Sequence, residues 1–442
     1  MNKKIRKAES LMAVHTHTHT GNLREKGITL IALVVTIVVL LILAGVSINL
    51  VIGDNGVIAR AKEARNKTLE DQENTQEGMN YLEDEIIETL GELKQTKETA
   101  PYFPDNTFSK VGGTIDTGIV IQDTNGNQYV WVVVPRTTEV YKTIELGKTT
   151  LTDEDCIKIE NDLRTYTRLY RNEMSNSDTW YADDKNEGWF TEAEFYIAKN
   201  NMLRSIYLNG GFYVGRYEAG SSIYRLKNND KNSEGKYIVP DEVPVSKADA
   251  YPYVRVTRTQ AQKLAEKVNS GNYTSSLMFG IQWDLVLAFI NKDSKVPSTD
   301  ILITNSTVIG NYCDSTFEIN RGKYAQSGQQ GKIWNNFDTE LDAIIVKDKE
   351  TGKIIKKSQD SHSNSITLTT GATDYSKLMN IYDIAGNVWE WILEKDSDNN
   401  DLPINFAGGD YYDSGANYSA SYRGNGNVAS SGASIGFRVS IY

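Results

Sequence analysis

Hydrophobic and polar positions divide the chain into three textures. Residues 28–52 are dominated by Ile, Leu and Val, and no Asp, Glu, Lys or Arg occurs between Gly27 and Gly53. At about 1.5 Å per helical residue this run is long enough to cross a bilayer core of ~30 Å, so it predicts a membrane-spanning helix over 28–52. A Glu- and Lys-rich stretch without proline follows, in which Met79, Leu82, Ile86, Leu90 and Leu93 recur at spacings of three and four. That period is one helix face and predicts a helical stalk over 53–100. Beyond Ala100-Pro101 the pattern breaks into short runs separated by turns.

Within 101–442, residues 118–122 and 129–134 are β-rich runs flanking Asn125-Gly126-Asn127. Asn-Gly supplies the positive φ of a tight turn, so the pattern predicts a hairpin. Residues 211–218 read as a further strand. Residues 257–268 carry helix-start chemistry and a helical apolar period, and 282–290 read as a second short helix centred on Trp283. Residues 137–210 are polar, Tyr-rich and broken, and read as an insertion or small subdomain. Strands and helices that do not alternate regularly predict an α+β fold.

Charge orients this arrangement. The first 26 residues hold six basic against two acidic side chains, whereas the whole chain has 58 acidic against 47 basic and a net charge of −11. An acidic balance argues against nucleic-acid binding. The basic flank before the apolar run predicts a single-pass protein of the cell membrane, N-terminus inside and C-terminal domain outside. A cleaved secretory signal is the alternative, and its apolar core would be shorter. Cys156 and Cys313 are too few for a disulfide scaffold or a four-thiolate zinc site, and their pairing is left open. Three of the four His are His15, His17 and His19, so only His362 serves the domain. An extended strand would align the three N-terminal imidazoles as metal ligands, and a leader removed on processing is the plainer reading.

Two stretches carry resemblances to known families. Lys26-Gly27-Ile28-Thr29-Leu30-Ile31 before the apolar run resembles the N-terminus of type IV prepilins. The resemblance implies a leader over 1–27, a prepilin peptidase as partner, cleavage between Gly27 and Ile28, and association with other pilins in a pilus. The family's usual Glu, five residues after the cut, is Ala32 here. An ion pair with a neighbour's terminal amine is therefore missing, which leaves a minor subunit or a plain membrane anchor open.

The block Asn380-Ile381-Tyr382-Asp383-Ile384-Ala385-Gly386-Asn387-Val388-Trp389-Glu390-Trp391, then Gly408-Gly409, Arg423 and Gly436-Phe437-Arg438-Val439, resembles the formylglycine-generating-enzyme, or sulfatase-modifying-factor, family. The resemblance implies a C-type-lectin-like fold. From the residues alone, Trp389 and Trp391 share a strand face as core anchors. Asp383 and Glu390 bracket a glycine turn, where their oxygens either converge on calcium or cap the turn and form an ion pair. The resemblance implies a calcium site made by the side chains of Asp383 and Glu390 with the carbonyls of Gly386 and Val388. Its formylglycine-forming members need two Cys, at positions that fall near Asp413 and Tyr418 here, and its sulfoxide-synthase branch needs three His. Neither set is available, so the reading is not an enzyme, with a metal-dependent activity of these types as the alternative.

Residues 396–442 contain no Lys, Glu, Gln, Met or Trp. In their place stand Asp410, Tyr411, Tyr412, Asp413, Ser414, Asn417, Tyr418, Ser421, Tyr422, Asn425 and Asn427, the residue types of binding surfaces. These are the candidate ligand-binding residues within a segment spanning 405–434, expected together on the solvent face above a scaffold of Arg423, Phe437 and Arg438. The missing set resembles that of variable proteins of diversity-generating retroelements, whose mutated Asn-type codons cannot reach those five residues. The resemblance implies a diversified surface; an ordinary Gly/Ser-rich loop is the alternative. The combined expectation is a pilin-like, membrane-anchored surface protein whose lectin-like domain binds a protein or glycan, with a purely structural minor pilin as the other reading.

Overall fold

The computed structural model describes residues 101–171, 176–227, 231–268, 273–359 and 361–442. The leader, the membrane span at 28–52, the stalk, Gly27, Ile28 and the three N-terminal His lie outside them. Among the described residues no helix is long and apolar enough to cross a membrane.

The strands that frame the site are β1 (Ser109–Gly112), β2 (Val120–Gln122), β3 (Gln128–Val133), β4 (Gly211–Gly215), β5 (Ser275–Leu277), β6 (Trp389–Lys395), β7 (Ile404–Ala407), β8 (Arg423–Gly426), β9 (Ile435–Phe437) and β10 (Val439–Ile441). Among the described residues they form a six-stranded sheet, β1-β2-β3-β4-β10-β5, and a four-stranded sheet, β8-β7-β6-β9. The expected hairpin is β2–β3, with Gln122 opposite Gln128. Its turn is held by Asp123, whose carboxylate accepts from the backbone N–H of Asn125 at 2.9 Å and of Asn127 at 2.8 Å. Short strands and helices in irregular succession make the fold α+β, as expected.

The polar stretch 137–210 conceals two helices, α1 (Asp153–Tyr166) and α2 (Glu192–Asn209). Each begins with a capping box, Thr152 with Asp155 and Thr191 with Glu194, which satisfies backbone N–H groups that helix starts leave open. Their inner faces, with Ile159 and Leu163 on α1 and Phe195, Met202 and Ile206 on α2, join the same core as Trp131 and Phe212. Helix α3 (Arg258–Glu266) starts at the N-cap Thr257, as the sequence predicts. Helix α4 (Gly280–Ile290) is buried on nearly every side. Its first N–H groups, Gly280 and Ile281, donate to Asp178 at 2.7 and 3.1 Å.

The C-terminal motif builds the second sheet. Trp391 is fully buried and donates from Nε1 to the Val256 carbonyl at 2.9 Å. Strand β6 runs parallel to β9, placing Glu390 beside Gly436 and Trp391 beside Phe437. Arg438, also fully buried, donates to Glu390 at 2.6 Å and to the carbonyls of Gly215 and Tyr382 at 2.9 and 2.8 Å, which joins the two sheets. Arg423, Phe437 and Arg438 are therefore interior scaffold, as expected.

Candidate functional site

The chain leaves β7 through Gly408-Gly409 and returns as β8 at Arg423, and the loop between them is pinned at short intervals. Gly409 has φ 74°, and a Cβ there would stand 2.6 Å from the Tyr418 carbonyl, so only glycine lets the loop close on itself. Asp410 accepts from the N–H groups of Tyr412 and Asp413 at 2.8 and 3.1 Å. Asp314 holds the Ser414 hydroxyl at 2.8 Å and the Gly415 N–H at 3.1 Å. Ala420 donates to the Ser306 hydroxyl at 2.8 Å and accepts from the Trp283 indole at 3.0 Å. A loop tied to the interior at each of these points presents its remaining side chains in fixed positions.

Those side chains face an open groove of ≈ 690 Å³. One wall is aromatic: Trp389 packs against Phe406 at 5.0 Å, Tyr418 at 5.7 Å and Tyr422 at 6.0 Å between ring centroids. Tyr418 and Tyr422 meet edge to face at 4.9 Å and 76°. Asp396, Asp398 and Asp413 bring carboxylates, and Asn176, Asn399 and Asn425 bring amides. The guanidinium of Arg423 lies in the floor, fully committed inward to Glu394 at 2.8 Å and Asp284 at 2.5 Å. Arg171 backs the same two carboxylates.

Proton affinities mark where charge is confined. Burial, reinforced by the neighbouring Asp413, pushes the Asp410 carboxyl up to about 7. Burial also raises Asp413. The Asp413 charge in turn raises the Tyr418 phenol.

Of the candidate ligand-binding residues, Asp413, Tyr418, Tyr422 and Asn425 line the groove. Tyr412, Asn417 and Asn427 are exposed outside it, while Ser414 is turned to Asp314. Asp410, Tyr411 and Ser421 are at most 4% exposed, which corrects the expectation that all of them share the solvent face. Tyr411 points inward because Gln330 donates to its hydroxyl at 2.7 Å, and Asp410 because it caps its own loop. The groove also uses residues that sequence reasoning placed elsewhere or passed over. Trp389 is only 6% exposed and is a core anchor, yet it lines the groove with Phe406 and the acidic turn Asp396–Asp398. The composition of 396–442 singled out the segment but not which side chains the fold turns inward.

The residues expected to bind calcium are placed together but engaged. Asp383 accepts from the Ser376 hydroxyl at 2.6 Å and the Gly371 N–H at 2.7 Å, and both oxygens of Glu390 accept from Arg438. The Val388 N–H donates to Glu218, and a Cβ on Gly386 would lie 2.4 Å from the Asn311 carbonyl. A cation on Asp383, Gly386, Val388 and Glu390 would have to displace Arg438 and Ser376, so the residues as arranged do not fit calcium. The turn-cap and ion-pair alternative describes them. Among the described residues no group of three or more His, Cys, Asp or Glu is arranged to hold a metal. His362 is exposed and its ring packs at a tilt against Tyr412, 4.8 Å between centroids. Cys156 and Cys313 are both buried free thiols, so they do not pair.

With this geometry in place, comparison with known proteins gives one family match, the "Sulfatase-modifying factor enzyme 1-like domain", over residues 212–441. No curated protein matches. Similar solved structures include Treponema denticola variable protein 1, at 12% identity and TM-score 0.26, covering 52% of this chain and 84% of that one. CarF is similar at 14% identity and TM-score 0.26, covering 52% and 86%. PvdO from Pseudomonas aeruginosa is similar at 13% identity and TM-score 0.25, covering 53% and 81%.

Proposed function

The chain belongs to the sulfatase-modifying factor enzyme 1-like family, and from that premise we propose that it is a ligand-binding rather than a catalytic member, a lectin-like receptor or adhesin. The observation that carries this reading is the groove, in which the half-buried rings of Phe406, Tyr418 and Tyr422, backed by the nearly buried Trp389, border an open space beside a loop fixed from beneath. Large rigid rings with few torsions, flanked by amides, give contact area at low entropic cost. The positions near which the resembled enzymes carry their two Cys, Asp413 and Tyr418, sit in this groove and hold groups that bind rather than exchange thiols.

In the same proposal, residues 28–52 anchor the protein in the cell membrane after prepilin-type processing between Gly27 and Ile28, and the stalk displays the domain outside the cell. The composition of 396–442 supports a retroelement-diversified surface, since the groove draws Phe406, Asp413, Tyr418, Tyr422 and Asn425 from that segment.

The test is to present the purified full-length chain to a glycan array and a displayed peptide library, beside a Tyr418→Ala/Tyr422→Ala variant. Selective retention of one ligand class, lost in the variant at unchanged melting temperature, is the expected result. Retention that is the same in both proteins overturns the reading.

A further inference from the structure

Resting on that ligand-binding reading, we propose that the groove takes a cationic side chain, a lysine or arginine of a partner protein, with its aliphatic stem along the Trp389–Tyr418–Tyr422 wall and its charge toward Asp413 and Asp396.

The first support is the sign of the charge. The ionisable side chains lining the groove are Asp396, Asp398, Asp413, the two Tyr and Arg423. Arg423 offers nothing to an incoming anion, because it is 2% exposed and already matched by Glu394 and Asp284. Nor can the segment neutralise the groove from within: residues 396–442 contain no Lys, and their two arginines, Arg423 and Arg438, are buried in ion pairs. Among the described residues, a carboxylate or phosphate ligand would meet the carboxylates of Asp396 and Asp413 and no available cation.

The second support is the pairing of that charge with aromatic rings. A ring face attracts a cation through its quadrupole, and Lys and Arg carry an apolar stem that covers aromatic surface while the head reaches a polar group. The edge-to-face contacts between Tyr418 and Tyr422 and between Trp389 and Tyr418 join the three rings into one wall. Asp413 lines the same groove as these rings, and its charge raises the proton affinity of the Tyr418 phenol. Burial raises the proton affinity of Asp413, and a cation bound beside it would offset that cost of desolvation. A neutral sugar would use the rings and amides but leave the groove's net charge uncompensated.

The experiment immobilises the full-length chain and measures retention of short peptides carrying a central Lys, Arg, norleucine or Glu, together with neutral oligosaccharides. Lys or Arg peptides are expected to bind, norleucine and Glu peptides not, with affinity falling as salt rises. Asp413→Asn and, separately, Asp396→Asn should each weaken binding by about tenfold, in line with a partly desolvated charge contact. Asp396→Asn guards against a folding defect at Asp413. If norleucine peptides bind as well as Lys peptides, the cationic ligand is wrong while the binding groove stands. Oligosaccharide binding that survives Asp413→Asn but not Tyr418→Ala/Tyr422→Ala has the same meaning. If no probe distinguishes the wild type from that double variant, or none binds, the cation proposal fails and the groove reading fails with it.

Discussion

The backbone N–H of Asp413 donates to the Asp410 carboxyl at 3.1 Å, and the two neighbouring carboxyls differ in environment: Asp410 is 4% exposed while Asp413 borders the groove. Burial first, and the Asp413 charge second, make ionisation costly for Asp410, so the buried carboxyl holds its proton more tightly. Its value is raised from 3.8 to about 7 in the folded chain. A group raised in the folded state contributes stability that is complete below its unfolded value and is lost as the pH climbs through the folded one.

Asp410→Asn reproduces the protonated form, because an amide oxygen still accepts from Tyr412 and Asp413 while its NH₂ faces the Asp413 carboxylate. In urea unfolding the variant should exceed the wild type by on the order of 1 to 3 kcal/mol near pH 8 and match it near pH 4. A variant less stable than the wild type near pH 8 contradicts this account of the pair.

Arg438 carries the opposite arrangement, a buried ion pair with Glu390 in which both partners are at most 1% exposed. Arg438→Met leaves the carboxylate buried without a counter-ion and strips donors from the Gly215 and Tyr382 carbonyls. The loss of stability should be about 3 to 5 kcal/mol, read by chemical denaturation. A loss below about 1 kcal/mol, the range of exposed pairs, would show that the pair is not dry.

Because the same pair occupies Glu390, and Ser376 and Gly371 occupy Asp383, a chelator should leave the melting temperature of the full-length chain unchanged. Differential scanning calorimetry with and without calcium decides it, and a rise of several degrees with the ion would restore a calcium site there.

Tyr411 and Tyr412 are adjacent in sequence and opposite in role. Tyr411→Ala removes a ring that is 4% exposed and leaves the Gln330 amide only Thr367 of its two hydroxyl acceptors, and should cost about 3 kcal/mol or more. Tyr412 is 44% exposed, and Tyr412→Ala should stay within about 0.5 kcal/mol. Thermal melts of the two variants side by side check the assignment, and equal losses would contradict it.

Local chemistry explains which parts of this molecule were legible beforehand. The β2–β3 hairpin, α3 with its Thr257 cap and the strand at Trp389 each depend on residues within a few positions of one another, and each stands where the sequence placed it. Helices α1 and α2 were hidden by the polar composition of 137–210, although Thr152 with Asp155 and Thr191 with Glu194 spell out their starts. The split between Tyr411 and Tyr412 was not legible, since it turns on Gln330, whose distance along the chain no periodicity reveals. The groove was half legible for the same reason. Tyr418, Tyr422, Asp413 and Asn425 come from the biased segment, but Asn176 and the committed guanidinium of Arg423 depend on contacts made only in the folded chain.

The most direct measurement is a crystal structure of the full-length chain with a bound Lys-bearing peptide. Density for the side chain is expected against Trp389, Tyr418 and Tyr422, with its ammonium at Asp413 or Asp396. A peptide bound elsewhere, for example in the ≈ 540 Å³ cleft between Ile238 and Lys263, with the aromatic groove empty, would contradict it.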